Sequence, residues 1–422
     1  MNKLTNILQS PLFLALIVTL IIIPFLPNVF DKYTTELIDS ERMYNPKTTP
    51  PYKSIVYYND LDNDGKSEKI IAQYGHSLHA FLIYNNEEGV IDQINPPPPA
   101  NILNYKLFFG DYNNDGLNEM YYFIMKGDSI LIRSLEPLRE NAVKYMKQAF
   151  IDTVWKKRSD GKYDAGINIV KLFDLNNDNY KEVVFAINTG FSLQPRNLYA
   201  WDIANDTVLK SPKSGTHVNP LFFDLNNDGK IEIISNNVTA PGNLPEDFPY
   251  SDNSAWLMVF DNTLNFLFDP VEFPLFNSHV IARPYRTNKE TYIAVLYQYY
   301  GKEKKKPALY LYNVKGEKVK EKIFSKENKK RYYYGITTLS SEERNRLYLI
   351  DLKTNVIQLN EKLDTINEFK IIKSNDKWVF LGFINLDIDD DGEEELFFVN
   401  KDWQKLMITR NDLDRKSTRL NS

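Results

Sequence analysis

The sequence predicts an all-β protein, a seven-bladed β-propeller behind an apolar N-terminal segment, on the strength of three observations. Among 422 residues there are 27 Tyr and 25 Phe, side chains that favour strands over helices. An acidic nine-residue string recurs in one frame at five places. Short apolar runs, rich in β-branched and aromatic residues, bracket every copy, as strands bracket a turn.

The remaining composition narrows the class. A hydrophobic share of 43% with 25% charged residues excludes a disordered chain and is enough for one large core. The 51 basic and 56 acidic side chains leave a net charge of −5, without the basic excess that nucleic acid attracts. There is no cysteine, hence no disulfide framework and no thiolate site.

From the N-terminus, residues 1–10 precede an uncharged apolar run, Pro11 to Phe30. At about 1.5 Å per residue such a run reaches about 30 Å, the thickness of a bilayer core. We read 11–30 as a transmembrane signal anchor; it is longer than a usual signal-peptide core and lacks a small-x-small site after it. Lys3 lies before the run, while Asp31 and Lys32 after it cancel, which places the N-terminus in the cytoplasm. Residues 31–51 then serve as a linker to a propeller over 52–413.

The strings are DLDNDGKSE (60–68), DYNNDGLNE (111–119), DLNNDNYKE (174–182), DLNNDGKIE (224–232) and DIDDDGEEE (387–395). Each follows an apolar run such as SIVYY or KLFF and precedes another such as KIIAQY or MYYFIM. Most units continue into a hairpin pattern, as in HAFLIYNNEEGVIDQI and NLYAWDIANDTVLK. Successive starts lie 51, 63, 50 and 163 residues apart. The last interval admits two units without the string, with turns expected around Thr287 and Ser340. Seven units of about four strands each describe a propeller; an array of β-sandwiches is the alternative.

Oxygen side chains at positions 1, 3 and 5, a backbone carbonyl at position 7 and a carboxylate at position 9 can wrap a hard cation of calcium size. Position 6 must turn sharply and selects Gly, or Asn as at Asn179. The expected ligand sets are Asp60, Asp62, Asp64, Lys66 and Glu68; Asp111, Asn113, Asp115, Leu117 and Glu119; Asp174, Asn176, Asp178, Tyr180 and Glu182; Asp224, Asn226, Asp228, Lys230 and Glu232; and Asp387, Asp389, Asp391, Glu393 and Glu395. In each set the fourth residue contributes its carbonyl. The first and fifth sets carry four carboxylates each and should bind most tightly; the third lacks Gly and ranks last. An EF-hand opens similarly but needs a glutamate at position 12 and flanking helices. An ordinary Asp/Asn-rich turn would bind nothing, yet five in register favour Ca²⁺ held structurally at several sites.

These strings resemble the calcium-binding turns of FG-GAP or VCBS repeats, the units of integrin α-subunit propellers and of many bacterial extracellular proteins; the resemblance spans about residues 52 to 410. The order of anchor, DLDNDG turn, GDYNNDG turn, QPRNLYAWD hairpin, SPKSG and SAWLMVFDN further resembles the extracytoplasmic half of bacterial membrane sensor histidine kinases. That resemblance implies a periplasmic sensing module, single-pass in the inner membrane, whose kinase lies outside these residues. The tail 414–422, DRKSTRLNS, resembles translated sequencing-adapter read-through, so we expect it to be non-native and the natural chain to continue.

No metalloprotease, nucleophile-elbow or phosphate-loop motif is present, and the four histidines, His76, His79, His217 and His279, are scattered as packing or surface residues. We expect no catalytic residue and no enzyme activity. Around Asn188–Asp202, His217–Asp224 and Thr239–Trp256 the connections are longer than a minimal turn needs, which favours recognition. Arg196, Tyr250 and Trp256 either form a ligand face there or only pack the blades. Lys302–Lys306 reads as a solvated hairpin tip and Pro96–Pro99 as a stiff connector. The function expected is a calcium-stabilised binding or sensing module; a free-standing adhesion propeller for protein or glycan, or a polysaccharide-active enzyme, are the alternatives.

Overall fold

A computed structural model describes residues 53–74, 78–85, 89–97, 102–103, 106–138, 146–303, 305–324, 333–339, 346–351, 355–370, 380–386, 395–400 and 405–408. All of them belong to one compact unit, Tyr52–Ser422. The segments 11–30, 31–51 and 414–422, the turn at 387–394, His76 and Ser340 lie outside the described residues. Among the described residues there is no α-helix, and none long and apolar enough to cross a membrane.

The chain is all-β, and its strands pair in sequence order as antiparallel meanders. The first sheet comprises Lys53–Asn59, Glu68–Tyr74, Leu78–Asn85 and Gly89–Ile94. The second comprises Phe108–Gly110, Glu119–Lys126, Ser129–Leu135 and Met146–Thr153. The third comprises Ala165–Phe173, Glu182–Thr189, Arg196–Asp202 and Thr207–Lys210. Each opens with the apolar run before an acidic string and resumes with the run after it. The strings are therefore the turns between first and second strands.

The fourth unit departs from four strands. Pro220–Phe223, Glu232–Ser235 and Val259–Phe260 form one ladder, and Ala255–Leu257 pairs separately with Val271–Phe273. The segment Val238–Thr239 joins the fifth sheet through Val280 and His279. The physical reason is the long connection before Ala255, which leaves only a short stretch to return to the ladder. The fifth sheet continues as Ser278–Arg286, Thr291–Tyr299, Ala308–Tyr312 and Lys318–Ile323, and its first turn is at Thr287, whose N–H donates to the Glu290 carbonyl at 2.9 Å. The sixth contains Tyr333–Leu339, Arg346–Asp351, Asn355–Leu359 and Thr365–Lys370, and the last Phe380–Leu386, Glu395–Asn400 and Lys405–Ile408.

Strand side chains alternate between faces, and here both faces are buried. From Glu119–Lys126, Met120, Tyr122 and Ile124 pack on Ile70, Phe81 and Ile83 of the first sheet, while Tyr121 and Phe123 pack on Val183, Phe185 and Tyr199 of the third. Strand Glu182–Thr189 is buried at every position. Its Val183, Phe185 and Ile187 face the second sheet, and its Val184 and Ala186 face Ile233, Met258 and Phe260. Strand Thr291–Tyr299 repeats the division, with Ile293 and Val295 toward the fourth unit and Ala294 and Leu296 toward the sixth. Consecutive sheets thus stack face to face, which explains why the strands read as continuous apolar runs instead of alternating. Aromatic pairs lock the stack: Phe123 and Phe185 meet edge to face at 4.7 Å, worth about 0.5–1.5 kcal/mol beyond burial.

Candidate functional site

The four described acidic turns share one backbone. Position 6 is left-handed in each, at φ 87° for Gly65, 86° for Gly116, 70° for Asn179 and 83° for Gly229. Nothing lies within 4 Å of a Cβ added at Gly65, Gly116 or Gly229, so conformation and not space selects glycine there. Position 4 is also left-handed: Asn63, Asn114, Asn177 and Asn227 have φ of 57°, 58°, 61° and 59°. Sequence reasoning named only position 6, although an Asn at position 4 of each of these copies was the available signal.

Within the turn, the Asp at position 1 accepts the N–H of position 6 at 2.9 Å in Asp60 and Asp111, 3.0 Å in Asp174 and 3.1 Å in Asp224. The Asp at position 5 accepts the N–H of position 7, at 2.7 Å for Asp64 with Lys66 and 2.8 Å for Asp178 with Tyr180. The glutamate at position 9 is buried at the head of the second strand, where one oxygen accepts the N–H of position 2. These bonds measure 2.7 Å from Leu61 to Glu68, 3.1 Å from Tyr112 to Glu119, and 2.7 Å from Leu175 to Glu182 and from Leu225 to Glu232.

Burial raises the pKa of all four glutamates, opposed by that N–H and reinforced by neighbouring Asp carboxylates. Glu119 and Glu182 are pushed up to about 7. Such a cluster lacks positive charge, and a hard cation would supply it. In the first turn Asp60, Asp62 and Glu68 each bring a carboxylate oxygen within 4.8 Å of the others. In the third, Asp178 and Glu182 are joined in the same way by Asp202, which lies outside the string. In the fourth, Asp224 Oδ1 is buried without a hydrogen-bond partner. Lys66, Leu117, Tyr180 and Lys230 hold position 7 of their turns. The fifth set, Asp387 to Glu393, lies outside the described residues, and Glu395 opens the strand after it.

Neighbouring turns are bonded to each other. The N–H of Asn118 donates to the Leu61 carbonyl at 2.7 Å, and the amide of Asn63 to the Gly116 carbonyl at 2.7 Å. One unit on, the N–H of Lys181 donates to the Tyr112 carbonyl at 2.7 Å and the Asn114 amide to the Asn179 carbonyl at 2.6 Å. Beyond the third turn the amide of Asn262 reaches the Leu175 carbonyl at 2.8 Å, and Arg286 reaches the Asp224 carbonyl at 3.0 Å.

A meander puts the connections after its second and fourth strands at the edge opposite the acidic turns. There Arg196 is fully buried and uses all five guanidinium hydrogens. It donates to the carbonyls of Thr189 at 2.9 Å, Gly215 at 2.5 Å and Gly190 at 3.2 Å, to Asn243 Oδ1 at 2.7 Å and to Asp252 at 2.8 Å. Asp252, also fully buried, accepts the N–H groups of Asn243 and Leu244 at 3.2 and 3.0 Å. Trp256 donates to the Ser251 carbonyl at 2.9 Å and packs on Tyr250, ring centroids 5.3 Å apart. Arg196 is thus spent on packing, while Tyr250 and Trp256, half-buried, pack on each other. The exposed aromatics of this edge are others: Phe191 is 70% exposed, Trp155 53% and Phe276 50%. The Lys213 ammonium lies 4.9 Å from the Trp155 ring and 4.7 Å from Phe248.

His217 is half-buried and meets the Thr189 carbonyl at 2.9 Å; His279 Nδ1 lies 3.2 Å from the Tyr300 hydroxyl. His279 lies in a strand and His217 in the connection before Pro220–Phe223. Lys302, Glu303 and Lys305 are exposed, as expected of a solvated tip.

A family profile described as FG-GAP-like repeat matches residues 60–122, which contain the first two acidic turns. Among curated proteins none matches. Several solved structures that align are propellers. BBS1N, solved in complex with ARL6DN, shares 12% identity at TM-score 0.41, covering 85% of this chain and 93% of that one. The Dos1 propeller shares 11% at TM-score 0.39, covering 84% and 76%. BamB from Moraxella catarrhalis shares 11% at TM-score 0.35, covering 84% and 99%. The class defined is an all-β chain that carries a match to an FG-GAP-like repeat over residues 60–122.

Proposed function

We propose that this chain is a membrane-anchored, calcium-stabilised binding module on the extracytoplasmic side of a bacterial inner membrane, the input part of a longer sensor histidine kinase. Its sheets close radially as a seven-bladed propeller, anchored through residues 11–30. The observation that carries the binding role is the loop edge around Arg196. A fully satisfied buried ion pair is weak support for stability, yet here it ties together the connections 190–195, 211–219 and 240–254, on the same edge where Phe191, Trp155 and Phe276 stand exposed. A rigid platform beneath exposed rings is the arrangement of a recognition face. Trp155, Phe191, Phe276 and Lys213 offer ring faces and a cation to a protein or glycan ligand.

Binding of the full chain in detergent micelles to glycan and peptide arrays tests this reading. The W155A and F191A double variant should lose the ligands that wild type retains, at unchanged thermal midpoint. Equal retention by both proteins would refute the face. An alkaline phosphatase fused after residue 51 should be active if the anchor carries its C-terminal side across the membrane.

A further inference from the structure

We infer that Asp202 is a ligand of the cation held by the third acidic turn, so that this turn, ranked last on its own residues, is completed from the neighbouring strand. The inference rests on the calcium reading of the turns and goes beyond the nine-residue pattern.

Register places Asp202 there. Val183 pairs with Trp201, so one step further Glu182 stands opposite Asp202, and the carboxylate oxygens of Asp178, Glu182 and Asp202 lie within 4.8 Å of one another. Like charges directly opposite in an antiparallel pair repel. The side chain of Glu182 is 2% exposed, and its Oε1 has no hydrogen-bond partner, while Oε2 is taken by Leu175. A buried carboxylate oxygen without a donor, aimed among two further carboxylates, is unfavourable unless a cation faces it. Asp202 is 7% exposed, and its oxygens accept the N–H of Asn205 at 2.9 Å and the Asn205 amide at 2.8 Å. That amide also reaches Asp178 at 3.3 Å; turned over, it presents its own oxygen to the same point.

The same register step recurs. Met120 pairs with Leu135, which brings Glu136 opposite Glu119, and Ile233 pairs with Phe260, which brings Asp261 opposite Glu232. At the first turn the same step brings Asn85 opposite Glu68, so the position holds a side-chain oxygen in each case, a donor type that suits a hard cation. The donor set contains no nitrogen or sulfur, which selects calcium or a lanthanide over zinc.

Terbium titration of the chelator-treated full chain in detergent, excited through Tyr180 and Trp201, tests the assignment. D202N should weaken one site by about tenfold or more, as should D178N. In EDTA, D202N should melt no lower than wild type, because the substitution relieves repulsion. If D178N weakens a site and D202N does not, Asp202 is no ligand and the calcium reading stands. If wild type binds no terbium or calcium, both fall.

Discussion

Single side chains set the sign of several responses. Burial holds the His217 pKa below its ordinary value, reinforced by the Arg196 charge. The folded state keeps the ring neutral while the unfolded chain protonates it near about 6.5, so this group's contribution is present above that pH and is lost as pH falls through it. Wild type should therefore lose thermal midpoint between about pH 7 and 5 more steeply than H217Q. Removing Asp252 strands the Arg196 guanidinium without its counter-charge, and D252A should lose about 3–5 kcal/mol in chemical denaturation. In the acidic turns, E119A removes the acceptor of the Tyr112 N–H and should cost about 1–3 kcal/mol, a loss that persists in EDTA. The alternating oxygens of these turns were legible in sequence because turn geometry is local. Asp202 was not, because its place depends on strand pairing. The role of Arg196 stayed open between ligand face and packing, since arginine is mostly exposed and its acceptors come from four separate segments.

Strands, turns and connections carry the next level. The strand assignment was legible from apolar runs between Gly-, Asn- and Asp-rich turns, and the described strands follow it closely. The fourth unit was not, because the exchange of Val238–Thr239 to the next sheet is a competition between edges that no local pattern reports. At the loop edge, Gly215 is held by space: a Cβ there would stand 2.8 Å from Ser251 Cα and 2.9 Å from the Tyr250 carbonyl oxygen. G215A should displace that connection and lower the thermal midpoint by several degrees, as about 1–3 kcal/mol of overpacking does. Lys213 lies over the exposed Trp155 ring and the half-buried Phe248 ring, and K213A should barely move the midpoint.

At the level of the whole molecule, alternate residues of Glu119–Lys126, Glu182–Thr189 and Thr291–Tyr299 feed two different cores, so these three strands have no free face to lose first. The all-β class was legible because strands buried on both sides must be apolar throughout. If calcium fills the turns, a hundredfold excess over Kd adds about 2.7 kcal/mol per site, and EDTA should lower the midpoint by a matching amount. A midpoint indifferent to EDTA would count against occupancy.

The amide bridges between the first three turns carry a further consequence. Each bridge shares an atom with the backbone that shapes the next turn, so ordering one loop removes part of the entropy its neighbour must lose. Metal uptake by these loops should be steeper than independent sites permit, with a Hill coefficient above unity, and cutting the bridge with N114A should flatten the isotherm without deleting a single coordinating oxygen.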